Sequence, residues 1–233
     1  MITLDLPRCV RRAALSLVAT VLPLLAHPAP PSAALPGYNV DPSQITVSGI
    51  SSGAYMAVQI AVAHSATVKG VGAIAGGPYA CAQGSATTAT RTCMVGKPDA
   101  KALAEAAKKA AAAGQIDPLA HLATQKAWLF NGFNDGVVKR PVSDALFDFY
   151  KSFDSEDNLF YKTNLQAAHS QVTLAYGQAC SQNGGDVIND CGYDAAGLLS
   201  AKGANQAMGL GTPLVEATLN QARPGYFVIG SCQ

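Results

Sequence analysis

Short apolar runs alternate with amphipathic segments along this chain, which is the pattern of strands followed by helices. Residues 45–48 predict a first strand, and the small apolar residues of 52–64 predict a helix directly after it. Residues 68–75 are again mostly apolar and lead into a Gly-Gly-Pro turn signal, so they predict a second strand. A strand, a helix and a second strand in succession form the unit from which parallel sheets are built.

The same alternation continues through the middle of the chain. Asp99 is placed to cap a helix over residues 100–113, residues 126–131 predict a short strand, and Pro141 opens another helix. That last helix carries one apolar stripe, formed by Val142, Ala145, Leu146, Phe149 and Tyr150.

The pattern weakens toward the carboxyl end. Residues 158–163 predict a further strand and residues 193–201 a short helix, whereas residues 203–224 show no firm pattern. Residues 226–229 are apolar and aromatic enough for one last strand. No internal repeat or linker divides the chain, and the alternation favours the α/β class with a mostly parallel sheet.

The first 34 residues have the three regions of a secretory signal peptide. Arg8, Arg11 and Arg12 form a basic head, residues 13–26 are mostly apolar, and residues 28–34 are small and proline-rich. The apolar run is shorter than the about 20 residues that a membrane span needs. We therefore expect 1–34 to be removed, 35–233 to form a single catalytic domain, and the protein to be secreted, extracellular or periplasmic, with no membrane span.

Composition excludes some classes of partner. Lys and Arg number 16 against 15 Asp and Glu, and charged residues make up only 13% of the chain. This near-neutral balance has no basic patch of the kind that nucleic-acid binding requires.

The cysteines suggest two local disulfides. An exported protein favours a disulfide framework, and the natural pairs are Cys81 with Cys93 and Cys180 with Cys191. Zinc binding is the alternative, but no C-x-x-C motif and no histidine cluster accompany the cysteines, so we expect no metal. Cys232 has no evident partner.

Residues 49–53 read Gly-Ile-Ser-Ser-Gly, a G-x-S-x-G motif between the first strand and the first helix. This is the context of a nucleophile elbow, in which flanking glycines leave a serine hydroxyl exposed on a tight turn. Ser51 is therefore a candidate nucleophile, and the N–H of Ser52 is a candidate oxyanion donor. A glycine- and serine-rich loop that merely turns is the alternative.

A nucleophilic serine needs a base and an orienting acid, and in α/β hydrolases these follow in the order Ser, Asp or Glu, His. Asp135 follows the strand at 126–131, and His169 follows the strand at 158–163. Asp135 also suits a plain Asn-Asp-Gly turn, and His169 a structural role. His64 lies near the end of the predicted helix at 52–64, where a protonated histidine complements the helix dipole, and His121 lies in a polar segment before the strand at 126–131. Only His169 follows the last of these strands in the right order.

Four motifs resemble the extracellular poly(3-hydroxybutyrate) depolymerases of the circularly permuted, single-domain type. They are residues 40–42 (Val-Asp-Pro), 48–57 (Ser-Gly-Ile-Ser-Ser-Gly-Ala-Tyr-Met-Ala), 75–79 (Ala-Gly-Gly-Pro-Tyr) with Cys81 soon after, and 189–197 (Asn-Asp-Cys-Gly-Tyr-Asp-Ala-Ala-Gly). The resemblance implies an α/β-hydrolase-like three-layer sandwich and a disulfide-linked serine esterase that needs no cofactor. Its substrate would be a polyester, or an oligomer, of short-chain 3-hydroxy acids. By the same resemblance Ser51 would be the nucleophile, Asp135 the orienting acid and His169 the base.

The chain also departs from that family. Residues 169–173 read His-Ser-Gln-Val-Thr, where the family has a pattern close to His-x-Phe-Pro-Thr. Family members continue beyond the position of Gln233, with a His-Gly-Cys stretch that supplies part of the oxyanion hole. We therefore expect an incomplete sheet in which the first strand is an edge, and an exposed edge invites self-association. Two alternatives follow: a non-catalytic secreted polyester-binding homologue, and an incomplete gene product.

Overall fold

A four-stranded parallel sheet organises the fold. The structure is a computed structural model that describes residues 43–153 and 155–200, with side chains followed as far as residue 198. The strands lie in the order β1-β2-β3-β4, each parallel to its neighbour. They are β1 (Ile45–Ile50), β2 (Val68–Ile74), β3 (Lys126–Phe130) and β4 (Leu159–Lys162). All four coincide with predicted strands, and the α/β class with a mostly parallel sheet is confirmed.

Five α-helices occur within the described ranges. They are α1 (Ser52–Ala63), α2 (Ala86–Arg91), α3 (Ala100–Ala112), α4 (Arg140–Lys151) and α5 (Ala195–Ser200). Asp99 caps α3 as predicted, because its carboxylate accepts a hydrogen bond from the N–H of Ala102. The sequence analysis missed α2, since this short helix of alanine and threonine buries none of its residues and so leaves no apolar stripe.

A second, small sheet was also not predicted. It consists of β5 (Gln171–Thr173), β6 (Gln178–Ala179) and β7 (Ile188–Asp190) in the parallel order β5-β7-β6. Strands of two or three residues are too short to show a period of two. Asn189 holds this sheet together: its buried amide donates to the carbonyl oxygens of Ala179, Cys180 and Gln182.

Alternate residues of β3 divide the core into two faces. Ala127 and Leu129 pack in the cluster that contains buried residues of α1, α3 and α4. Trp128 and Phe130 point to the opposite face, where they pack in a cluster that includes Val172 of β5 and Ala195 of α5. The large sheet therefore lies between a layer of helices and a layer built from the small sheet and α5.

Several expectations lie outside the described residues: the signal peptide at 1–34, the strand at 226–229 and the fate of Cys232. None of the helices within 43–153 and 155–200 is long and apolar enough to cross a bilayer.

Gln125, just before β3, fixes the end of α1 to the start of β2. Its side chain is buried, and its amide donates to the carbonyl oxygens of Ala61 and Val68, each at 2.9 Å. The hydroxyl of Tyr150 donates to the side-chain carbonyl oxygen of Gln125 at 3.4 Å. One buried side chain thus satisfies the carbonyl oxygens of two buried residues.

Gln125→Leu should lower the free energy of unfolding by about 1–3 kcal/mol, because two buried carbonyl groups lose their donor. Urea denaturation measures this, with Gln115→Leu as the control, since Gln115 is exposed and its change should stay within about 0.5 kcal/mol. Equal stability of the two variants would contradict the bridging role of Gln125.

Candidate active site

Ser51 stands on a strained turn between β1 and α1. Its φ of 56° and ψ of −123° lie in a region that residues other than glycine rarely adopt. A Cβ added at Gly49 would lie 2.4 Å from the carbonyl carbon of Gly53, so only glycine at 49 lets the helix start this close to the strand. The motif therefore folds into a tight strand-turn-helix unit with Ser51 at its tip.

The carboxyl ends of all four strands lie on one line. Ile50, Ile74, Phe130 and Lys162 are aligned in register across the sheet. The main chain stays hydrogen-bonded just beyond this line, and each acceptor is a main-chain carbonyl oxygen. The N–H of Ser51 donates to the carbonyl oxygen of Ile74, that of Ala75 to Phe130, and that of Asn131 to Lys162. The loops that leave these strands consequently begin side by side, at spacings of about 4.8 Å.

Asp135 and His169 meet in those loops. Oδ2 of Asp135 lies 2.9 Å from Nδ1 of His169, and Oδ1 accepts hydrogen bonds from the N–H groups of Val137 and Val138, each at 2.8 Å. The Asp135 side chain is 1% exposed and that of His169 is 9% exposed. A buried carboxylate is stable only when its oxygens are satisfied, as they are here. The arrangement fixes the ring orientation of His169.

The two loops are in direct contact. The N–H of Phe133 donates to Leu165 at 2.8 Å, and that of Asn134 donates to Ala167 at 2.9 Å. A Cβ added at Gly132 would lie 2.2 Å from the carbonyl oxygen of Ala167, so glycine is required for this approach. The relative position of Asp135 and His169 therefore depends on a glycine three residues before the carboxylate.

The loop of the second disulfide supports both of these segments. Cys180 is bonded to Cys191, and the carbonyl oxygen of Cys180 accepts from the N–H of Ala168 at 2.9 Å. Oδ1 of Asn183, inside that loop, accepts from the N–H groups of His169 and Gly136 at 3.4 Å. The sequence analysis did not single out Asn183, because a loop asparagine before two glycines has no pattern that separates it from a turn residue.

An apolar cavity of about 660 Å³ opens beside the nucleophile candidate. Ser51 and Ser52 line it, as does Val138, whose N–H donates to the Asp135 carboxylate. Ser52 is the first residue of α1, where N–H groups have no acceptor within the helix and the helix end favours negative charge. An ester carbonyl bound beside Ser51 and Ser52 would have the Ser51 hydroxyl and the N–H of Ser52 close by.

The structure thus brings Ser51, Asp135 and His169 to one edge of the sheet, and it joins the last two directly. No hydrogen bond links the Ser51 hydroxyl to His169 within the described chain. His64 and His121 adjoin the amino-terminal starts of β2 and β3, at the opposite edge. No group of three or more His, Cys, Asp or Glu side chains that could hold a metal occurs among residues 43–153 and 155–200.

The first disulfide joins Cys81 to Cys93, twelve positions later, and the loop that it closes also borders the cavity. The structure therefore contains both pairings that the sequence suggested.

Comparison with known proteins finds relatives among polyester depolymerases. The chain is 47% identical over 169 residues to a poly(3-hydroxybutyrate) depolymerase of Delftia acidovorans, which covers 71% of this chain and 34% of that protein. It is 36% identical over 168 residues to a polyhydroxybutyrate depolymerase of Talaromyces funiculosus, covering 70% and 49%. No protein-family model matches the chain. The chain spans about half, or less, of the length of these relatives.

Two solved structures share the fold. The crystal structure of a PHB depolymerase from Penicillium funiculosum superimposes with a TM-score of 0.64 at 36% identity, covering 71% of this chain and 52% of that one. A PHB depolymerase with a serine-to-alanine substitution, complexed with an R3HB trimer, gives a TM-score of 0.65 at 35% identity, with the same coverage. The resemblance to the poly(3-hydroxybutyrate) depolymerases, and with it the α/β-hydrolase type of fold, is confirmed over about 70% of the chain.

Gly132→Ala should separate the loops that carry Asp135 and His169, because its methyl group would collide with a main-chain oxygen. We expect a loss of stability of about 1–3 kcal/mol and loss of the downfield proton NMR signal of the hydrogen-bonded His169 Nδ1–H. Gly136→Ala is the matched control, since a Cβ there would lie at an ordinary 3.4 Å from Asn183. Retention of this proton signal in Gly132→Ala would show that the hydrogen bond between Asp135 and His169 does not depend on glycine at position 132.

Proposed function

We propose that the protein is a secreted serine esterase that hydrolyses poly(3-hydroxybutyrate), or related short-chain 3-hydroxyalkanoate polyesters and oligomers. The observation that carries the proposal is the buried hydrogen bond between Asp135 and His169, at the sheet edge where Ser51 stands on its strained turn. The activity is proposed for the whole protein, because the chain spans about half, or less, of the length of the relatives.

Acylation begins at Ser51. His169 takes the Ser51 proton on Nε2 while Oγ attacks the ester carbonyl carbon, and Asp135 accepts from Nδ1–H and stabilises the imidazolium that forms. The N–H of Ser52 donates to the developing oxyanion. The proton then passes to the leaving alkoxide oxygen, which departs as an alcohol and leaves the acyl group on Ser51.

Deacylation repeats these steps with water. His169 takes a proton from the water molecule, the hydroxide attacks the acyl-enzyme, and the proton returns to Ser51 as the hydroxy acid leaves. Every bond change in this sequence uses side-chain and main-chain groups, so the chemistry requires no cofactor.

The substrate class is inferred from the relatives and from the cavity. The relatives are poly(3-hydroxybutyrate) depolymerases, and one solved neighbour holds an R3HB trimer. None of the described side chains that line the cavity is charged, which suits a neutral polyester. The two disulfides support secretion, because such bonds persist in oxidising compartments.

A fluorescent organophosphonate should label Ser51 stoichiometrically, because only an activated serine attacks the phosphorus atom. Ser51→Ala should lose both the label and the hydrolysis of 4-nitrophenyl butanoate, whereas Ser152→Ala, at an exposed position at the end of α4, should keep them. Mass spectrometry of the labelled peptide identifies the site. A folded wild type that takes up no label would refute the esterase and favour a polyester-binding protein.

Asp135→Asn should lower kcat by about 10⁴-fold. The amide can still accept from Val137 and Val138, but it presents N–H groups to Nδ1 and so stabilises the wrong tautomer of His169. Asp117→Asn is the control, because Asp117 accepts one main-chain hydrogen bond from Ala66, outside the candidate site. A loss of less than tenfold in Asp135→Asn would exclude Asp135 as the orienting acid.

A further inference from the structure

One wall of the apolar cavity comes from neither the large sheet nor the loops of Asp135 and His169. This wall segment comprises residues 81–94, closed by the disulfide Cys81 to Cys93 and including α2. We propose that the wall segment binds the acyl chain of the ester that reacts at Ser51. In this proposal Ala89 and Met94 set the length of the acyl chain that is accepted, and Tyr55 is the residue that positions the wall segment. The proposal rests on the proposed function and extends it to specificity.

The chemistry of the cavity favours an uncharged acyl chain. Ala82, Ala89 and Met94 of the wall segment face it, and Met56 and Val138 line the other sides. Burying an apolar chain against these groups is favourable because it removes apolar surface from water. Because the same cavity includes Ser51 and Ser52, a chain seated there extends directly from a carbonyl group at the nucleophile.

Two successive turns of α1 hold the wall segment at both ends. The Tyr55 hydroxyl, four residues after Ser51, donates to the carbonyl oxygen of Cys93. Gln59, four residues further, accepts from the N–H of Ala80 at 2.9 Å, directly before the wall segment begins. Burial, and secondly the negative charge of Asp135, raise the pKa of Tyr55, so the phenol stays protonated and remains a donor.

These attachments matter because the wall segment has little core of its own. None of the residues of α2 is buried, so packing does not hold that helix against the rest of the protein. Only the two cysteines of the segment reach the core cluster as buried residues. The width of the cavity therefore depends on the disulfide, on the hydrogen bond from Tyr55, which couples the helix of the nucleophile to the wall, and on the N–H of Lys139, which donates to the carbonyl oxygen of Met94 at 2.8 Å.

Ala89→Leu should shorten the acyl chain that the site accepts. We expect kcat/KM to fall about tenfold or more for 4-nitrophenyl hexanoate and to change less than twofold for 4-nitrophenyl acetate, whose acyl group is too short to reach the wall. Ala86→Leu is the matched control, since Ala86 lies in the same helix and is exposed outside the cavity lining. An equal effect on both esters, or none, would overturn the assignment of the wall.

Tyr55→Phe should loosen the wall without touching the reacting atoms. We expect KM for the hexanoate to rise several-fold with kcat nearly unchanged. Tyr161→Phe is the control. It also deletes a tyrosine hydroxyl, but that hydroxyl lies outside the cavity lining and donates to Asp144 at 2.8 Å, so KM and kcat should both stay unchanged. A fall in kcat for all esters, with KM unchanged, would make Tyr55 a general structural residue and overturn its positioning role.

A binding experiment tests the pocket independently of turnover. In a Ser51→Ala protein with ¹³C-methyl methionine, ethyl hexanoate should shift the methyl signals of Met56 and Met94 saturably, and Tyr55→Phe should weaken that binding several-fold. Met56→Leu and Met94→Leu assign the two signals. Absence of a shift at both methionines overturns the acyl wall. Saturable shifts combined with no organophosphonate labelling of the wild type would refute the esterase while retaining the pocket.

Discussion

The parallel register of the four strands is the constraint on which the candidate site depends. Because Ile50, Ile74, Phe130 and Lys162 are aligned, every loop that carries a candidate catalytic group leaves from the same edge of the sheet. A slip of one residue in a strand would turn every one of its side chains to the other face and would also shift the origin of its loop. The main-chain hydrogen bonds that continue just past the strand ends hold this edge in place.

Beyond that edge, satisfaction of buried polar groups decides the geometry. The Asp135 carboxylate is buried with two main-chain donors on one oxygen and His169 on the other. A carboxylate that stayed buried without these partners would be strongly destabilising. The close approach of Gly132 to Ala167 makes this placement sterically available.

The two disulfides serve different segments around the site. Cys180 to Cys191 closes the segment whose main chain supports Ala168 and, through Asn183, His169. Cys81 to Cys93 closes a segment with little buried surface that borders the apolar cavity and is fixed to α1 by Tyr55. Short cross-linked loops thus supply rigidity where the chain has few buried side chains to provide it.

The sequence by itself determined the parallel α/β arrangement. The apolar runs, the Asp99 cap and the apolar stripe on α4 are local patterns, and the period of each apolar pattern indicates a strand or a helix. It also predicted the elbow at Ser51, since G-x-S-x-G between a strand and a helix is typical of that turn. Only the tertiary structure decided that Asp135 and His169 share a hydrogen bond, that Asn183 touches both loops, and that Tyr55 reaches Cys93. Those contacts join residues that are 14 to 47 positions apart, and most of these residues lie in loops, which have no periodic pattern of apolar residues. The helix α2 and the strands of the small sheet are too short to show such a pattern. Such contacts arise from packing and hydrogen-bond satisfaction in three dimensions, which no local pattern along the chain records.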